Sequence, residues 1–410
     1  TRKESSAASD VYKRQVLVFH SPHQVEIKYT NSGTTPIVRK TTTTLSDGRE
    51  LIYFDDSEPY LSGTATRELH DGRHLPKSTP LSSIRRDPLT GEWTALAAHR
   101  MNRTFMPPAN ENPLGPTQSG QLPTEIPADD YDVVVFENRF PSFARTAYLN
   151  EELPGYVDNM ELVPQAPGRG RCEVVCFSPH PTDSFCQLSQ RRIRTIIEAW
   201  ADRTEALSAL TGIEQVFCFE NRGPEIGVTL QHPHGQIYAY PFLPPRTQAI
   251  LRQARQYYED TGRQLQHDVV MAELAAKTRV VCEGEYWFAY VPAAAKWPLE
   301  VMLVPRRDVP DFPSLSESER AELAVMYPRL LRQVDKFFPG IEKTAYIAGW
   351  NQAPVHEGRE FGRLHLQLFS LRRSPDKMKY LAGSESAMGV WINDTTPERI
   401  AERLREVAEK

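Results

Sequence analysis

The chain has 410 residues, 40% of them hydrophobic and 25% charged, with 48 Lys and Arg against 53 Asp and Glu. That length predicts two or three domains with sizeable cores, and a net charge of −5 gives no electrostatic pull toward nucleic acid or an anionic membrane. No apolar run approaches the ~18 residues a membrane span needs, and five irregularly spaced cysteines make no secreted disulfide framework, so a reducing, cytoplasmic setting is expected.

Residues 1–15 are polar and lack the apolar stretch of a secretory signal. They read as upstream read-through, and 1–40 as a whole is expected to be a disordered or non-native leader. Residues 105–130 form a Pro/Gly/Asn-rich connection, the composition of a long functional loop. Tyr131–Phe136 and Cys172–Phe177 read as buried strands, and Cys172, Cys176 and Cys218 as inert core thiols. Ser189 is a candidate cap for a helix whose Ile193, Ile196, Ile197, Trp200 and Leu207 share one face. A strand over Gln215–Phe219 leads through Asn221 to the segment His232-Pro233-His234-Gly235-Gln236.

The layout then recurs. Glu173 to Ser189 matches Glu300 to Ser316 at a constant offset of 127. Ser316 and Glu319 form a capping box, and Leu323, Tyr327 and Val334 fall on Ile196, Trp200 and Leu207. Pro328 predicts a kink in this second helix. A strand over Ala345–Trp350 precedes Leu364-His365-Leu366-Gln367, and Thr396 with Pro397 opens a terminal helix. The expected fold is therefore α+β: two tandem modules, each an antiparallel sheet with packed helices. The expected bounds are 41–245 for the first module, 246–280 for a helical connection and 281–410 for the second.

The HPHGQ segment carries the chemistry. In an extended chain His232, His234 and Gln236 alternate onto one side, so two imidazoles and an amide converge. An imidazole attacks phosphorus when its other nitrogen is held as a donor, and a nearby amide stabilises developing charge on a phosphoryl oxygen. Two satisfied structural histidines, or half a metal site, fit the same residues taken alone.

The flanking pattern narrows this. The run from Asn221 through Gly227 and Thr229 to Ala239 resembles the signature of the galactose-1-phosphate uridylyltransferase family, part of the histidine-triad superfamily. The resemblance extends from about Pro80 to the end and includes Asp87–Trp93, Ala98–Arg103 and Ala293–Pro298. Hydrolases of the superfamily carry a third His where this chain has Gln236. The resemblance implies histidine-triad-like modules and a ping-pong transfer of uridylyl from UDP-glucose to galactose 1-phosphate. It makes His234 the nucleophile, held by the carbonyl of His232, with Gln236 on the phosphoryl oxygens. It also implies that Arg100 and Arg103 meet phosphates, and that Asn138, Asn221, Gly227 and Thr229 contact uridine or phosphate. Lys379, Tyr380 and Glu385 would meet the sugar from the other subunit of a homodimer.

Departures from the family pattern matter equally. Several relatives bind structural zinc through C-x-x-C, a later His and the first His of HPH; here those positions read Asn112, Gly115, Pro181 and His232, with His180 beside the third. A second metal site of some relatives falls on Ile250, Asn351, His365 and Gln367. No metal and no required cofactor is therefore expected, structural zinc being open only to a rearranged ligand set. Two other readings stay in view: a nucleotide or nucleotide-sugar phosphorylase on the same scaffold, and a non-catalytic nucleotide-sugar binding protein.

Overall fold

In the computed structural model the residues described are 16–17, 24–29, 36–67, 70–77, 79–102 and 111–408. The first strands are β1 (Val16–Leu17), β2 (Gln24–Tyr29), β3 (Pro36–Thr44) and β4 (Glu50–Asp55). β3 runs across residue 40, where the leader was expected to end; most of 1–35 lies outside the described residues. Next come β5 (Ser83–Arg86), β6 (Trp93–Leu96), β7 (Val133–Glu137), β8 (Gln165–Pro167) and β9 (Arg171–Cys176). Helix α1 (Gln190–Ser208) separates β9 from β10 (Gln215–Arg222) and β11 (His234–Tyr240). Two helices, α2 (Pro245–Thr261) and α3 (Leu265–Ala276), join the halves. The second half holds β12 (Val280–Glu283), β13 (Trp287–Tyr290), β14 (Leu299–Pro305), α4 (Glu317–Asp335), β15 (Tyr346–Asn351) and β16 (His365–Ser370). The short pair β17 (Arg372–Ser374) and β18 (Lys377–Met378), then α5 (Gly383–Met388) and α6 (Pro397–Ala408), finish the chain.

Thirteen of these strands form one sheet in the order β1-β2-β3-β4-β7-β9-β11-β10-β15-β16-β14-β13-β12. From β4 onward the order is mirrored about the β10–β15 pair, so β4, β7, β9, β11 and β10 each have a counterpart in the second half, while β6, β5 and β8 form a separate three-stranded sheet. At that central seam Phe219 faces Gly349, where a Cβ would meet the Phe217 ring at 2.7 Å. The expected α+β architecture of two antiparallel modules is what the chain forms, and the two sheets are continuous.

Local chemistry explains the helices. The Ser189 hydroxyl accepts the Arg192 N–H at 3.1 Å, and the Ser316–Glu319 box is closed in both directions. Each cap contributes about 1 kcal/mol. Pro328 lies inside a helix that continues to Asp335, the proline being buried in the packed face. Helices α1 and α4 cover one face of the sheet, where Trp200, Phe312, Tyr327 and Trp350 meet with ring centroids 5.1–6.5 Å apart. Buried ion pairs tie α1 to the strands: Arg203 donates to Glu173 at 2.8 and 2.9 Å, and Arg171 donates to the same carboxylate. All five cysteines are free and buried; burial pushes the Cys172 thiol up to about 11. No helix among the described residues is long and apolar enough to cross a membrane.

The opposite face is treated differently in the two halves. In the second half α3 lays Val270 and Leu274 on Phe288, Tyr290, Met302 and Val304. In the first half the 111–131 loop covers only the outer strands, packing Leu114, Ile126 and Tyr131 on Val134, Phe136, Val174 and Cys176. The inner strands β11 and β10 keep half-buried side chains on that face.

Candidate functional site

His234 opens β11, opposite Cys176, and Gln236 follows opposite Val174 and Phe219. Strand alternation buries Gly235, Ile237 and Ala239 and leaves His234, Gln236 and Tyr238 half-buried on the open face. Gly235 is required by crowding: a Cβ there would meet the Phe177 ring at 2.7 Å and the Phe219 carbonyl oxygen at 3.0 Å.

The His234 ring donates from Nδ1 to the backbone carbonyl of His232 at 2.6 Å. A carbonyl only accepts, so the proton sits on Nδ1 and the lone pair on Nε2. Among the described residues nothing hydrogen-bonds to Nε2 or to the Gln236 amide. Burial lowers the His234 pKa, which keeps the ring neutral and nucleophilic at neutral pH.

His232 itself is buried, and burial lowers its pKa to about 4. Both of its nitrogens have partners. Asn112 Nδ2 lies 2.8 Å from Nδ1, while Nε2 lies 2.7 Å from the Ser178 carbonyl and 2.9 Å from the Tyr131 hydroxyl. Asn112 and Tyr131 are residues that sequence reasoning passed over. The one available signal was a polar Asn, rather than Cys, at the position where the family resemblance implies a zinc ligand.

The zinc ligand set does not fit here. Asn112 turns its amide nitrogen toward His232 and its oxygen accepts the Leu114 N–H at 3.1 Å. Pro181 and Gly115 supply no ligand side chain, and no group of three His, Cys, Asp or Glu suited to a metal occurs among the described residues. The second set fits no better. His365 Nδ1 donates to the Arg363 carbonyl at 2.8 Å, Gln367 donates to Glu300 at 2.7 Å, and Asn351 donates to Gly349.

The remaining expected residues fall into three places. Arg100, on the 3-10 turn Ala98–Asn102, donates to the Phe140 carbonyl at 2.8 Å, and its charge reaches Tyr238 and Cys172 on the open face. Asn138 is pinned beside it: its N–H meets the Cys172 carbonyl and its Oδ1 accepts the Phe140 N–H, both at 2.9 Å. Arg103 lies outside the described residues. Asn221 is half-buried on β10, and Gly227, at φ +78°, ends the turn Pro224–Ile226 that leads to the half-buried Thr229. The left-handed φ is the reason for glycine at 227.

The third group stands apart. Lys379 Nζ meets Glu385 at 3.1 Å, so the two expected sugar ligands satisfy each other, and no hydrogen bond or ion pair joins them to His234 or Gln236. Their arm exposes Tyr380, Met388, Val390 and Ile392. A cavity of about 920 Å³ opens elsewhere, at the strand ends beside Phe140 and His99, lined by Arg49, Arg139, Arg145 and Arg171; His234 does not line it.

Residues 75–244 match the model for galactose-1-phosphate uridyl transferase, N-terminal domain, and residues 250–410 that for its C-terminal domain. The chain is 43% identical to the galactose-1-phosphate uridylyltransferase of Streptomyces lividans, over 91% of this chain and 99% of that one. It is 34% identical to the enzyme of that name from Thermotoga maritima, over 80% and 98%. Among solved structures, a uridylyltransferase at 30% identity superposes with a TM-score of 0.70 over 80% of this chain and 98% of the other.

Proposed function

The chain belongs to the galactose-1-phosphate uridylyltransferase family and is a nucleotidyltransferase, and from that premise we propose that it moves uridylyl from UDP-glucose to galactose 1-phosphate through a covalent bond to His234. The observation that carries this reading is the His234 ring, with Nδ1 tied to the His232 carbonyl and Nε2 unpaired among the described residues.

In the first half-reaction Nε2 attacks the α-phosphorus. The bond from that phosphorus to the bridging oxygen breaks, and glucose 1-phosphate departs with the electron pair. The Nδ1–H stays on the His232 carbonyl, which takes up part of the positive charge the ring gains. The Gln236 amide donates to a phosphoryl oxygen as charge builds there, a contribution of about 3 kcal/mol for one well-placed donor. Arg100 and Arg103 balance the diphosphate charge, a role suited to the guanidinium fork. Asn138, Asn221, Gly227 and Thr229 hold the uridine and the phosphates. In the second half-reaction the phosphate oxygen of galactose 1-phosphate attacks phosphorus, and the P–N bond breaks.

Lys379, Tyr380 and Glu385 meet the hexose phosphate in a homodimer, each arm reaching the other subunit's open face. The exposed Tyr380, Met388, Val390 and Ile392 suit such a docked arm. No metal takes part, and the enzyme works in the cytoplasm. Initial rates at varied concentrations of both substrates test the reading. Parallel double-reciprocal lines are expected, with exchange of glucose 1-phosphate into UDP-glucose in the absence of galactose 1-phosphate. Intersecting lines without exchange would refute it.

A further inference from the structure

Where relatives are expected to place a metal beside the first His of HPH, this chain has a closed hydrogen-bond circuit. Its polarity can be traced atom by atom. Asn112 Oδ1 accepts the Leu114 N–H at 3.1 Å, which fixes Nδ2 as the group facing His232. Nδ2 has only hydrogens to offer, so His232 Nδ1 must accept. The single ring proton then sits on Nε2 and donates to the Ser178 carbonyl at 2.7 Å. Tyr131 stands at the same spot, its hydroxyl 2.8 Å from the Leu114 and Ser178 carbonyls. That hydroxyl bridges the loop carrying Asn112 to the segment after β9.

We propose that Asn112 and Tyr131 are positioning residues: Asn112 locks the His232 imidazole in its Nε2–H form, Tyr131 braces the Ser178 carbonyl that the ring donates to, and together they hold the 232 carbonyl against His234 without a metal. The same backbone unit carries both functions, since the 232 ring is anchored to the loop and the 232 carbonyl takes the His234 Nδ1–H. Loss of the Asn112 donor leaves a buried ring nitrogen unpaired, which favours a shift of ring and peptide together. Small displacements of a nucleophile slow the chemical step far more than they weaken binding. The inference rests on the reading of His234 as nucleophile only for its kinetic consequence; the tautomer of His232 stands on geometry alone.

Histidine-selective 15N NMR on the full chain tests it, with Asn112→Asp and Tyr131→Phe beside the parent. Asn112→Asp is nearly isosteric and keeps the acceptor for the Leu114 N–H, but it offers His232 an acceptor instead of a donor. In the parent, His232 should show a protonated Nε2 and a hydrogen-bonded, unprotonated Nδ1, unchanged by exhaustive chelation. In Asn112→Asp a proton should appear on Nδ1, and single-turnover uridylyl transfer should slow about 10-fold to 100-fold, with the UDP-glucose Kd within about 2-fold. Tyr131→Phe should keep the tautomer and slow the same step by a smaller factor, about 3-fold to 10-fold. A protonated Nδ1 in the parent would overturn the proposal, and that spectrum decides even if a variant fails to fold. An Asn112→Asp enzyme with parental tautomer and rate would overturn it too. If His234 forms no covalent bond while the parent tautomer is as stated, the fault lies with the proposed function and not with this circuit.

Discussion

The two modules hold a histidine in the same way and cover it differently. His234 donates to the carbonyl two residues back at 2.6 Å, and His365, on the matching strand, does so at 2.8 Å. Each is followed two residues later by a glutamine on the same face. The difference is what lies over that face. In the second module α3 covers β12–β14, His365 is buried near Arg246 of α2, and Gln367 is consumed by Glu300. In the first module Phe143 packs on the Tyr238–Tyr240 end of β11 and leaves the His234 end half-buried, and Gln236 has no partner among the described residues. The same tautomer-fixing carbonyl therefore sits under two different coverings, and under the proposed function only the less covered imidazole meets substrate.

The largest expected contrast is between the two histidines. His234→Asn should reduce uridylyl transfer by at least about 10³-fold, because an amide cannot replace the imidazole as nucleophile. His365→Asn should leave kcat/KM within about 3-fold and appear only as lost stability in denaturant titrations. The glutamines should separate next. Gln236→Ala is expected to slow the first half-reaction roughly 10²-fold, measured as the burst of glucose 1-phosphate. Gln367→Ala should leave that burst intact while costing about 1–3 kcal/mol of stability, since the buried Glu300 carboxylate loses a donor.

Acid should destabilise both modules. Burial holds His232 and His365 down at about 4, whereas the unfolded chain titrates near 6.5. The folded form thus binds fewer protons as pH falls from 6.5 to 4, and stability drops through that window by roughly 3 kcal/mol per histidine. Urea midpoints across this range check the sign, and His365→Asn should shrink the slope by one residue's share. The smallest effect is expected from chelation, which should change activity less than about 2-fold. A complete loss restored by zinc would mean that some other ligand set replaces Asn112, Gly115 and Pro181.

Much of this arrangement was legible in the sequence. Caps at Ser189 and Ser316, the repeated apolar spacing of α1 and α4, and the alternation around HPHGQ are local signals, and the fold follows them. Other features depend on tertiary pairing. The continuity of the two sheets comes from the Phe219–Gly349 seam, which neither strand announces alone. Tyr131 reads as one more apolar strand residue, yet its hydroxyl faces two carbonyls and a ring nitrogen. Lys379 and Glu385 read from sequence as a solvated Lys and Glu, with a sugar-binding role implied only by the family resemblance; their mutual ion pair depends on how α5 turns back. The covering of β12–β14 is equally silent in sequence, because α3 carries apolar residues without saying which face they will meet.

The most direct test is to mix the protein with UDP-glucose labelled in the uridylyl group, quench without substrate exchange, and map the modified peptide. One acid-labile, base-stable label on His234 is expected, discharged by galactose 1-phosphate and not by inorganic phosphate. No label, a label on another residue, or discharge by phosphate alone would contradict the account.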